Sequence, residues 1–117
     1  MIATEELEVF KKAYHVALDI YRLTLQLPGD EKFGLSSQMK RAAVSINSNL
    51  MEGGSRDSTN EYKRFICISR GSASELQFQV MLAKDLGFAD KEKADLIIEE
   101  LRQIKKMLNG ILQKLGN

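Results

Sequence analysis

The sequence has no tryptophan, one proline, one cysteine and one histidine in 117 residues, and only 7% of it is aromatic. Little proline and few aromatics fit an all-helical chain better than a β-sheet one. Cys67 cannot close an internal disulfide, so the chain suits a reducing compartment. A single histidine with no Glu-x-x-His pair argues against a di-iron site of the ferritin-like kind. No nucleophile, base and orienter set is present. Gly53-Gly54 and Gly71-Ser72 follow no strand and lack the Gly-Lys-Ser/Thr ending of a phosphate loop. No run approaches the roughly 20 apolar residues of a membrane span. Thr4-Glu5-Glu6 is acidic where a signal peptide would be basic and then apolar. The expectation is a cytoplasmic protein with no metal, no cofactor, no membrane contact and no catalytic activity. The formal net charge is +1, so any case for nucleic acid must rest on local patches.

What the sequence does contain is helical periodicity throughout. One domain over residues 1–117 is expected from the length. Helix one runs from about Glu5 to Leu27 and is stopped by Pro28-Gly29. Helix two runs from about Leu35 to Gly53, where Gly53-Gly54-Ser55-Arg56 reads as a break. Helix three opens with a capping box, Ser58-Thr59-Asn60-Glu61, and ends at Gly87, suited to a left-handed cap. Helix four starts at Asp90 and runs to about Leu115. Within it Ala94, Ile97, Leu101, Ile104, Leu108, Ile111 and Leu115 step by three and four, a 3.5-residue period that predicts left-handed packing near +20°. Short connections predict an up-down-up-down antiparallel four-helix bundle, all-α.

Helix one carries two apolar stripes. Leu7, Phe10, Tyr14, Ala17 and Tyr21 form one; Val9, Ala13, Val16, Ile20, Leu23 and Leu27 form the other, nearly opposite. One can face the core, and the other is left in water unless a second subunit covers it. Helix three is apolar almost all round, with Phe65, Ile66, Cys67, Ile68, Phe78, Val80, Met81 and Leu82. Two such helices predict an oligomer, with Val9, Val16, Ile20 and Leu23 offered as its interface. Cys67 reads as an inert core thiol, and His15 as a solvent-side residue near Asp19.

The most distinctive pattern is polar. Gln38, Arg41, Ser45, Asn49 and Glu52 share a face of helix two. Arg64, Gly71 and Glu75 share one of helix three, with Ser72 alongside. Antiparallel alignment predicts two interhelical ion pairs, Arg41–Glu75 and Glu52–Arg64, with Ser45, Asn49 and Ser72 hydrogen-bonded between them. The alternative is a ligand site of Gln38, Arg41, Asn49 and Glu75.

The run Gln38-x-x-Arg41-Ala42-Ala43-x-Ser45-Ile46-x-x-Asn49-x-x-Glu52-Gly53-x-x-Arg56 resembles the four-helix-bundle family encoded in intervening sequences of bacterial 23S ribosomal RNA genes. So do Arg64-Phe65, Gly71-Ser72-x-x-Glu75-Leu76 and Leu82-Ala83-x-x-Leu86-Gly87. Leu27-Pro28-x-x-Glu31-x-Phe33-Gly34-Leu35 matches the preceding loop. Met51 departs from the Ala expected there. The resemblance runs from about Phe10 to Leu112. The same family includes the accessory variability determinant of diversity-generating retroelements. That relation implies a pentameric ring, contact with RNA or DNA, and a reverse transcriptase or other nucleic-acid enzyme as partner.

The functional expectation is a non-enzymatic ring that binds nucleic acid through Lys40, Arg56, Lys63 and Arg70, with Arg41 and Arg64 occupied inside the bundle. Arg102, Lys105, Lys106 and Lys114 add a modest basic excess at the end of helix four. Such a surface would hold phosphates without reading bases. The alternative is a purely structural protein–protein scaffold. A third reading, an enzyme or small-ligand carrier, needs an accessible cavity among Arg41, Asn49 and Glu75.

Overall fold

Capping and turn chemistry set where the helices begin and end. In the computed structural model, which describes residues 2–116, α1 spans Glu8–Thr24, α2 Leu35–Gly54, α3 Thr59–Asp85 and α4 Lys91–Lys114. Ser58 caps α3 by accepting from the Glu61 amide at 3.0 Å, and Asp90 caps α4 by accepting from the Lys93 amide at 3.1 Å. Gly87 closes α3 with φ +77°, a conformation that costs glycine little. α2 has no side-chain cap at Gly34; the Glu31 carboxylate, one turn earlier, accepts from the Leu35 amide at 3.2 Å instead.

Two boundaries differ from the sequence expectation, both of α1, which begins at Glu8 rather than about Glu5 because Thr4–Glu6 forms a separate 3-10 turn. α1 ends at Thr24, three residues short of Leu27, because the amides of Leu25, Gln26 and Leu27 bond back three residues rather than four. α2 stops at Gly54 with Ser55 as its C-cap, within one residue of the expected Gly53 and inside the Gly53-Gly54-Ser55-Arg56 break. Gly53 is there for close approach: a Cβ at this position would lie 2.8 Å from Phe65 Cβ on α3.

Each helix packs on its chain neighbours and α1 closes against α4, while the diagonal pairs α1–α3 and α2–α4 bring no Cα atoms within 8 Å of each other among the described residues. The result is an all-α, up-down-up-down antiparallel four-helix bundle measuring 43 × 23 × 22 Å. Ala94, Ile97, Leu101, Ile104 and Leu108 of the α4 seam are buried, while Ile111 and Leu115 at its end are half-buried. They meet Met39, Ile46 and Leu50 of α2 and Ile66, Leu76 and Val80 of α3 in one core.

The stripe of α1 assigned to an interface belongs to that core. Val9, Val16, Ile20 and Leu23 are buried within the chain itself, so they are not available to a second subunit. The other stripe turns toward the α2 side: Phe10 and Ala17 are half-covered, and Tyr14 and Tyr21 reach solvent. Both stripes are apolar, but tyrosine keeps a hydroxyl that water can satisfy, whereas valine, isoleucine and leucine gain only by burial. Cys67 is exposed, not a core thiol. The inward face of α3 is set by Phe65, Ile66, Ser69, Ser72, Ala73 and Leu76, and Cys67 projects away from them.

Candidate functional site

Only the middle of the polar stripe forms a network. Ser45 Oγ and Ser72 Oγ are 2.8 Å apart, joining α2 to α3, and Asn49 Nδ2 donates to Ser45 O and Oγ at 2.8 and 2.9 Å. Two further ties went unread in the sequence: Ser69 Oγ donates to Ile46 O at 2.9 Å, and Asn47 Nδ2 donates to Phe10 O at 3.0 Å. Nothing in their spacing separates them from ordinary surface polar residues.

The expected interhelical ion pairs are absent among the described residues. Glu52 pairs with Arg56 at 2.7 Å, one turn along its own helix end, and Arg64 lies over the Phe65 ring at 4.8 Å. The local partner prevails because an i,i+4 contact needs no second helix to be held in register. Gln38, Arg41 and Glu75 line one shallow surface depression with Ala42 and Ser45, but the Arg41 and Glu75 charges lie beyond 4.0 Å of each other. Asn49 does not line that depression, and the set forms an open surface rather than an enclosed ligand cavity.

A different feature organises the charge. Residues 62–74 contain Lys63, Arg64 and Arg70 and no acid; residues 101–114 contain Arg102, Lys105, Lys106 and Lys114 and no acid. The antiparallel register lays these stretches side by side. Arg70 Nη1 donates to Asn109 Oδ1 at 2.7 Å, and Lys84 Nζ donates to Asp95 Oδ1 at 2.9 Å nearer the other end. The intervening residues 75–100 hold seven acids against three lysines. One half of the α3–α4 face is therefore basic and the other acidic. In the acidic half, the hydrogen bond from Lys84 holds the Asp95 carboxyl below its ordinary range, helped by the charges of Lys84 and Lys91.

The basic half is narrower than its residue count. Arg102 is held by Glu99 at 3.7 Å, and Lys114 lies toward α1, lining a depression with Leu7 and Glu8. Arg64 is turned over the Phe65 ring, and the remaining charges are Lys63, Arg70, Lys105 and Lys106, none with a carboxylate within 4.0 Å among the described residues. Lys63 and Arg70 are seven residues apart on one side of α3, and Lys105 and Lys106 precede Asn109 by one turn on α4. Of the four sequence candidates, Lys63 and Arg70 thus share a face. Lys40 sits elsewhere, its Nζ 5.2 Å from the Tyr21 ring centre, and Arg56 is occupied by Glu52 and the Phe65 ring at the α2–α3 turn. Lys105 and Lys106 were legible in the sequence as a basic excess, but Asn109 was missed as the partner of Arg70, and with it the placement of these lysines beside Lys63 and Arg70.

Among the described residues no group of three or more His, Cys, Asp or Glu could hold a metal ion, and no helix is long and apolar enough to cross a membrane.

A model of the 23S rRNA-intervening sequence protein family matches residues 5–110. Among solved structures, the chain is similar to a protein of unknown function from the S23 ribosomal protein family of Bacteroides thetaiotaomicron. The TM-score is 0.81 at 25% identity, covering 89% of this chain and 97% of that one. No curated protein matches significantly.

Proposed function

The chain belongs to the 23S rRNA-intervening sequence protein family, and from that premise we propose that it is a non-enzymatic, ring-forming protein that binds nucleic acid through the basic half of its α3–α4 face. The observation that carries this reading is the juxtaposition of two acid-free stretches, which leaves Lys63, Arg70, Lys105 and Lys106 without carboxylate partners among the described residues. Unpaired cations on rigid helices meet phosphates at no cost in broken ion pairs. The face offers no helix-turn-helix or RNA-binding motif, so it would position a backbone and not read sequence.

Four charges on one small subunit give weak binding. Repeated around a ring they give a basic lining, which is how a chain of net charge +1 holds a polyanion. The surface proposed for ring contacts is the outer row of α3. Phe78, Leu82 and Leu86 recur every turn and all three are exposed, Phe78 by 61%. Five subunits, and a reverse transcriptase or other nucleic-acid enzyme as partner, are what the sequence resemblance implies. The same apolar row supports the second reading, a protein scaffold without nucleic acid.

Filter binding with generic RNA and DNA duplexes from low to moderate salt separates the two. The proposal expects binding that weakens steeply with salt and barely distinguishes sequences, from a species that light scattering shows to be larger than one chain. An assembled protein that retains no nucleic acid at low salt would leave the scaffold reading.

A further inference from the structure

Away from the basic half of α3–α4, on the opposite pair of helices, two aromatic rings stand in solvent beside cations. Tyr14 is 55% exposed and Tyr21 47%, seven residues apart on the side of α1 that faces α2. Seven residues are about two turns, or about 10.5 Å of helix. Each ring opens onto its own surface depression. Tyr14 shares one with Phe10, Lys11 and His15, and with Glu5 as the sole acid. Tyr21 shares the other with Lys40, Arg41, Ser37, Ser45 and Ser48, and with no acid. Lys40 Nζ lies 5.2 Å from the Tyr21 ring centre. Arg41 has no carboxylate within 4.0 Å among the described residues.

We infer that the α1–α2 face binds unpaired, single-stranded nucleic acid, with bases stacking on Tyr14 and Tyr21 and the phosphate backbone held by Lys11 beside Tyr14 and by Lys40 and Arg41 beside Tyr21. The chemistry is that of sequence-tolerant strand binders: flat rings for any base, and cations along the backbone path. A protein-binding patch would gain little from Lys11 beside Tyr14 and from Lys40 and Arg41 beside Tyr21, whereas a polyanion with exposed bases uses both rings and cations. A duplex keeps its bases stacked inside, so the tyrosines add nothing to duplex binding. The inference rests on the nucleic-acid reading above but uses a separate face, so the two can fail separately.

The test uses the full chain with four probes: labelled 20-mers of U and of dT, and duplex RNA and DNA of the same length. The chain lacks tryptophan, so tyrosine emission from Tyr14, Tyr21 and Tyr62 reports stacking without mutation. Single strands should quench that emission and duplexes should not. Tyr14→Leu with Tyr21→Leu keeps apolar bulk on a helical face. It should weaken single-strand binding at least tenfold, since each stacked base carries about fivefold or more, and leave duplex affinity unchanged. Circular dichroism confirms folding. Binding to U but not dT, or the reverse, identifies the strand while upholding the inference. Unchanged single-strand affinity, equal loss for duplexes, or a drop in assembled mass in the double variant would overturn it. Unmodified protein that binds neither single strands nor duplexes would overturn the function proposed above as well.

Discussion

At Gly53 and Gly71 the same residue type answers different demands. Gly53 is buried where α2 and α3 nearly touch, and a methyl there meets Phe65 Cβ at 2.8 Å and Tyr62 Cδ1 at 3.2 Å. Gly53→Ala should destabilise the fold by about 1–3 kcal/mol, the usual cost of overpacking. Gly71, also mid-helix, is exposed, and a methyl group there would meet nothing within 4 Å, so Gly71→Ala should stabilise by about 1 kcal/mol in urea unfolding. The sequence pattern alone reads Gly53 as part of a helix break and Gly71 as part of a helix face, because spacing cannot tell a buried approach from an open surface. Ile20, fully buried, allows a sharper contrast. Ile20→Asp should abolish the cooperative helical transition, because an unpaired carboxylate would sit in the core. Loss of assembly with helix content intact would contradict that placement. Asp95 adds a pH dependence. Its folded-state pKa is lowered, first by the Lys84 hydrogen bond, so its contribution is present at neutral pH and fades as pH falls through the carboxylate range. Asp95→Asn should flatten the acid side of the stability curve, as read by chemical denaturation at a series of pH values.

At the scale of the helix, the termini that carry their own caps were legible. Ser58 and Asp90 sit at N-caps, and Gly87 ends α3, because these signals act over four residues and need no tertiary information. Ser58→Ala should cost about 1 kcal/mol in thermal or urea unfolding. The α4 seam was equally legible, since a 3.5-residue period admits one inward face. α1 was not: it carries two apolar stripes, and hydrophobicity alone does not say which the other three helices will cover. Pairing between helices was legible only for short side chains. Ser45 and Ser72 meet because their hydroxyls reach no further than the helix contact. Arg41, Glu52, Arg64 and Glu75 have long arms with other options, which the register does not determine. A double-mutant cycle on Arg41 and Glu75 should therefore give coupling near zero, while one on Ser45 and Ser72 should give about 0.5–1.5 kcal/mol. Strong coupling between Arg41 and Glu75 would mean that the charges close on each other in solution.

Across the whole molecule, a net charge of +1 conceals a separation. The basic half of the α3–α4 face abuts a half with seven acids and three lysines, and the composition of the full chain averages the two away. Reading charge along the chain exposes the acid-free runs, but the fold places residues 62–74 beside residues 101–114. The same placement separates Lys40 and Arg56 from Lys63 and Arg70. The most direct measurement is the salt dependence of duplex binding in the assembled protein, compared between two triple-site designs. Lys63, Lys105 and Lys106 changed together to Gln should weaken all sequences alike and make the slope of log affinity against log salt shallower by about 0.9 for each phosphate per subunit that is no longer neutralised. Lys84, Lys91 and Lys93 changed together to Gln, in the acidic half, should leave that slope unchanged. Equal slopes for the first design and the unmodified protein, or the same loss in both designs, would contradict the assignment of nucleic-acid binding to the basic half of this face.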